Sequence, residues 1–251
     1  LEVELRELDN SIFHLRLSML PRFSLVNSPL IVGLLSSSML LSSVVNAMPD
    51  RHIADPLNLN TALGMGLDTN GLNIGGQLGF AQQRINATSA LDGDTWQINY
   101  LYSPLSSGQG WHFSAGVEHN HTYTQEGKFN HYRYRLGAIN ETNLAGNIKL
   151  FSQLSADYVD IEQQSQLNNG GANLSFTFLK VWNERWYNQL IARGTMALDG
   201  HDRYQAGAKI TLGYRLSRQW SWELAYRYDF DKVERVENEE TSWVFGVRSQ
   251  F

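Results

Sequence analysis

Residues 220–230 read WSWELAYRYDF. Trp220, Trp222, Leu224, Tyr226, Tyr228 and Phe230 take every second position, with Ser221, Glu223, Ala225, Arg227 and Asp229 between them. An extended strand sends alternate side chains to opposite faces, so this segment has one apolar and one polar face. Residues 243–251, WVFGVRSQF, repeat the pattern, with Trp243, Phe245, Val247 and Phe251 on one side and Ser242, Gly246, Arg248 and Gln250 on the other. The same period runs through 72–83, 96–102, 111–123, 132–140, 148–158, 174–178, 190–198 and 206–214, and segment 57–67 is a candidate further strand. No helical period is sustained after Ala47.

The chain has 251 residues, 18% of them charged and 12% aromatic, a composition that folds rather than stays disordered. With no cysteine, a disulfide framework, a thiolate zinc site and a cysteine nucleophile are all excluded. A net charge of −5 offers no general footprint for nucleic acid. One long apolar run does not make a polytopic helical membrane protein, but a membrane β-barrel keeps a polar lumen and polar loops. Met19 opens that run: Arg22 is followed by an uncharged stretch at 30–45 and by Val45-Asn46-Ala47, small residues of the kind a signal peptidase reads. The expected organisation is an unassigned segment 1–18, a signal peptide 19–47 and a barrel 48–251.

The connections at 103–110, 142–146, 183–185 and 216–219 are short or turn-like, while those at 85–94, 124–130, 161–170 and 231–240 are longer and more polar. Short turns on one rim and longer loops on the other are the pattern of an outer-membrane barrel. Tyr100, Tyr102, Trp111, Trp182, Trp186, Tyr214, Trp220 and Trp222 crowd the short-turn rim, as an interfacial girdle would. A soluble periplasmic β-cup would show the same alternation with its apolar face turned inward. The export signal, the aromatic rim and Phe251 favour the membrane.

The ending of the chain resembles the C-terminal signature of Gram-negative outer-membrane proteins, which is read by the barrel-assembly machinery. Trp243, Phe245, Val247 and Phe251 match it, and Ser249 departs where an apolar or aromatic residue is usual. Gly246-Val247-Arg248-Ser249-Gln250-Phe251 is also similar to the ending of autotransporter translocator domains. The resemblance implies an integral barrel of the bacterial outer membrane, of structural or small-solute passage type. It further implies a solitary autotransporter-type barrel with no passenger domain, partnered by outer-membrane lipid and the assembly machinery. Both ends of such a barrel lie in the periplasm, so the strand count is even. Tracing back from Phe251 favours ten strands, with twelve the next count. Segment 57–67 makes an eleventh, so either a further strand near 52–57 brings the count to twelve, or segment 57–67 lies inside or beneath the barrel and the count stays at ten.

With the apolar set facing lipid, the polar set enters the lumen. It carries Arg133, Arg135, Lys149, Arg193, Lys209, Arg215, Arg227 and Arg248 against Glu118, Asp157, Glu223 and Asp229, an excess of cations that suits an anion-preferring pore. The plainer reading is a paired or hydrated filling that stiffens a narrow barrel. For catalysis, Asp92-Gly93-Asp94 and Asp199-Gly200-His201 resemble the paired aspartates and the Asp-x-His of the omptin proteases, which would activate a water between facing loops. Asp and Gly are also ordinary turn residues, and the connection at 199–203 is short. His112-Phe113-Ser114 with Glu126 is similar to the His-x-Ser and later Glu of outer-membrane lipid A deacylases, but a strand length separates the two parts. His119 and His121 have no third metal ligand in sequence reach. The expectation is therefore a barrel without catalytic activity, cofactor or metal.

Overall fold

The computed structural model describes residues 51–69, 71–104, 110–124, 127–162, 165–199, 203–233 and 235–251. The segments read as 1–18 and as the signal peptide 19–47 lie outside the described residues. The strands are β1 (Ala62–Asp68), β2 (Gly71–Phe80), β3 (Gln83–Ala90), β4 (Trp96–Tyr102), β5 (Gly110–Thr124), β6 (Gly127–Leu144), β7 (Ile148–Ile161), β8 (Asn169–Val181), β9 (Trp186–Ala197), β10 (Arg203–Arg215), β11 (Trp220–Val233) and β12 (Val236–Gln250). Each pairs antiparallel with its chain neighbours, and β12 returns to β1 through Leu67↔Phe245, Met65↔Val247 and Leu63↔Ser249, so the sheet closes without an edge. Closure satisfies the backbone of every strand inside the wall, the condition for crossing lipid.

The count of ten strands is corrected to twelve. One missing strand is β3, whose residues the sequence places mostly in a loop at 85–94. Its outward positions are Gln83, Ile85, Ala87 and Ser89, too weakly apolar to give a clear period. The turn before it rests on Ala81 at φ 50°, a conformation that glycine or asparagine normally signals. The other is β1, the second half of the segment 57–67. Residues 51–60 form no strand and lie inside the barrel, as the contacts below establish.

The long polar connections also shrink. β5 ends at Thr124 and β6 begins at Gly127, and β11 ends at Val233 with β12 beginning at Val236, so the residues read as loops extend the ladder beyond the membrane. The wall is uneven as a result: β1 and β4 have 7 residues each, whereas β6 has 18.

The exterior is apolar and exposed, with Met65 60%, Leu136 69% and Ile210 55% accessible. In the opposite sense, the inward register holds charge. Burying the charged face and exposing the apolar one inverts a soluble β-cup, and a surface of this kind is stable only against lipid. Aromatic clusters mark both interfaces. Trp186, Tyr214 and Trp222 gather at the short-turn rim, with centroids 4.7–6.1 Å apart. Towards the other rim, His119 stacks on Trp96 at 5.8 Å and lies 5.0 Å from Tyr132, and Tyr226 lies 5.1 Å from Trp243.

Candidate functional site

The short-turn end of the lumen is filled by residues 51–60. Ile53, Ala54 and Leu57 are buried against Leu101 of β4, Ile139 of β6, Phe151 of β7, Leu179 of β8 and Tyr187 of β9. The segment builds its own turns: Asp55 N–H donates to His52 O at 2.9 Å, and Leu57 N–H donates to the Asp55 carboxylate at 2.8 Å. Several of its other carbonyls are met by the wall. Arg84 donates to Pro56 O and Asn58 O, both at 2.8 Å, Arg248 donates to Ile53 O at 2.9 Å, and Gln189 donates to Ala54 O at 3.2 Å. Asn58 also donates to the Gln250 side chain at 3.0 Å. A buried irregular backbone needs such partners, which is why long polar side chains line this stretch of wall.

Four charges hold the segment from one side. Arg51 bonds Asp55 at 3.0 Å and Glu141 at 2.9 Å, and Lys149 bonds the same two carboxylates at 3.2 and 2.9 Å. The Asp55 and Glu141 side chains have no exposed surface, so each carboxylate depends on both cations for its charge compensation. Farther round the wall, on β9, the Tyr187 hydroxyl donates to Glu223 at 2.7 Å and its ring takes His52 edge-on at 4.7 Å.

Farther along the lumen the inward register carries the other charges named from sequence. Arg135 lies 3.7 Å from Glu118 and 3.6 Å from Asp157, with Arg133 3.9 Å from Asp157. Asp229 is shared by Arg193 at 2.6 Å and Arg227 at 2.9 Å, and Arg227 also reaches Glu240 at 3.5 Å. The Arg133 guanidinium donates to Gln205, a bond between β6 and β10 that spans the lumen. Arg215 donates to Arg218 O at 3.2 Å near the short-turn rim. Lys209 sits on the inward face of β10, across from Ile191 of β9 and Arg227 of β11 in register, and makes no salt bridge among the described residues.

Sequence reasoning missed Arg84, Glu141, Arg203 and Asp231, all on inward positions. Arg203 bonds Asp231 at 3.3 Å and leaves its Nε and Nη1 without hydrogen-bond partners. Glu141 lies an even number of residues from Arg135, and Arg203 an even number from Lys209, so extending the alternation past the assumed strand ends finds them. Arg84 has no comparable signal, because its strand was read as a loop.

The catalytic candidates are dispersed. Asp92 and Asp94 lie between β3 and β4, where the Asp92 carboxylate accepts the Asp94 N–H at 3.0 Å in an ordinary turn. Asp199 follows β9, half the strand order away, and its carboxylate accepts the Gly170 N–H of β8. His201 lies outside the described residues. His112 is fully buried at the corked end with Nδ1 2.8 Å from Ser103 Oγ, while Ser114 Oγ accepts from Gln153 at 3.2 Å. Glu126 lies outside the described residues, beyond the far end of β5. His119 and His121 point outward into the aromatic cluster.

A closed antiparallel barrel of twelve strands, apolar outside, aromatic at both rims and charged within, is a porin-like transmembrane barrel of the Gram-negative outer membrane. Solved structures of that class align with it. The NanC porin superposes with a TM-score of 0.51 at 10% identity, covering 76% of this chain and 100% of that one. The KdgM porin in complex with disordered oligogalacturonate aligns with a TM-score of 0.49 at 10% identity, over 76% of this chain and 99% of that one. At such identity the likeness is one of fold. No family model matches the chain and no curated protein is similar to it.

Proposed function

We propose that this barrel passes small hydrated solutes across the outer membrane, with a preference for anions. The supporting observation is the balance of satisfied and unsatisfied charge in the lumen. Most inward carboxylates are already bound to an arginine, whereas the half-buried Lys209 makes no salt bridge among the described residues. Fixed cations without a bound anion set a favourable potential for small anions along the path. Reversal potentials in planar bilayers under a KCl gradient test it: the open barrel favours chloride, and Lys209→Glu lowers that preference several-fold. Absence of any conducting state in folded protein, including chains altered at residues 51–60, overturns the passage reading.

No reaction belongs to this reading, since Asp92 and Asp199 are engaged by backbone N–H groups. Hydrolysis of a basic peptide, lost in His201→Ala, would overturn that part. Assembly belongs to it: Trp243, Phe245, Val247 and Phe251 form the strand end received by the barrel-assembly machinery. Twelve strands and the Gly246–Phe251 ending support the finer likeness to autotransporter-type barrels.

A further inference from the structure

We infer that residues 51–60 are an autoinhibitory cork: the segment closes the periplasmic neck of the lumen, and the barrel conducts only when the cork leaves its seat. This inference rests on the passage reading above. Three observations carry it. The seat is apolar and tightly filled at its centre, with Leu57 and Tyr187 wholly unexposed. The grip on the cork is noncovalent: Arg84 and Arg248 hold backbone carbonyls, Arg51 and Lys149 share Asp55 and Glu141, and Ile53, Ala54 and Leu57 pack in an apolar seat. With no cysteine in the chain, no covalent staple fixes the segment to the wall. Finally, the cork is not part of the wall. The ladder closes from β1 to β12 without it, so it can move while the barrel stays intact.

One glycine records the close fit. At Gly79 on β2 a Cβ would come within 1.3 Å of Leu59 O, so the cork backbone passes where any side chain would stand. Gly79 has no positive φ, so the strand itself accepts a larger residue there. Gly79→Val therefore presses on the cork backbone at Leu59 while its own strand keeps an unstrained φ.

Single-channel recording of the full chain in planar bilayers decides the matter, with heat-modifiable gel migration confirming that each protein is folded. The wild type should rest closed with brief openings. Gly79→Val, and a chain with residues 51–60 replaced by a Gly/Ser stretch of equal length, should each raise the open fraction roughly tenfold or more. A lock gives the converse. The chain has no cysteine, so Ala54→Cys with Gln189→Cys, spanned by a short bis-methanethiosulfonate cross-linker that forms a disulfide at each thiol and releases methanesulfinate, is a unique reducible tether at the site of an existing hydrogen bond. The tethered barrel should be silent and should regain its openings on reduction. Steady wild-type current equal to that of both altered chains, or current through the tethered barrel, overturns the cork and leaves passage standing. Silence in every folded protein overturns passage, and the cork as a gate with it.

Discussion

Tyr187 fills the neck of the barrel because Gly213, directly across the ladder on β10, leaves room for its ring. A Cβ at Gly213 would lie 2.0 Å from Tyr187 Cζ. The ring then has to swing away from Glu223, which accepts its hydroxyl, and from His52 at its edge. Gly213→Ala should cost about 1–3 kcal/mol, the range for forcing extra volume into a packed site. Urea titration of the folded barrel, read by tryptophan fluorescence, should show the midpoint fall. An unchanged midpoint would mean that the ring has another seat. This residue pair also shows what a sequence hides about a site. Alternation allots each residue a face, but it names no partner across the lumen. Glu223 counts only as one more inward charge in the sequence, yet its bonded neighbour is a tyrosine. Asp55 and Arg51 lie outside the periodic segments altogether, and only the folded chain brings them to Glu141 and Lys149, about ninety residues away.

At the scale of elements, the strands that could be read from sequence are those whose outward face is large and apolar, such as β11 and the second half of β12. Their face is large because lipid rewards it. β3 went unread because an outward row of Gln83, Ile85, Ala87 and Ser89 carries little of that signal, and because Ala81 turns the chain where no glycine or asparagine marks a hairpin. The cork was unreadable for a different reason: its structure is held by long-range bonds to the wall and has no period of its own. The loop lengths misled because charged residues continue the ladder above the bilayer, as in Lys232–Glu237 at 2.6 Å. β12 carries a prediction of its own. Phe251 N–H donates to Thr61 O at 2.8 Å, just ahead of β1, while its side chain is 68% exposed and free to be recognised before closure. Deleting Phe251 should lower the yield in outer-membrane fractions and raise periplasmic degradation. Unchanged yield would show that the strand end is not the assembly signal.

For the molecule as a whole, the uneven wall sets how it sits in its solvent. A membrane strand needs about 9–11 residues to cross the hydrocarbon. Seven residues, the length of β1 and β4, rising about 3.3 Å each at a tilt of about 40°, cover about 18 Å, short of an apolar band of about 25 Å. From β5 round to β12 every strand has 12 residues or more. One sector of the perimeter is therefore too short for the bilayer and the rest is not. A rigid closed sheet cannot stretch to correct this, so the lipid adapts by thinning beside β1–β4 or the barrel leans towards that side. Folding into vesicles of graded acyl length should be most efficient in the thinner bilayers, with efficiency falling as the chains lengthen. A flat dependence would mean that the short sector imposes no strain on its surroundings. The seam where β1 meets β12, the last pairing that closes the barrel, lies at the edge of this sector. Hydrophobic mismatch is thus concentrated where the sheet was joined, and the membrane is weakest beside the place where the barrel was last open.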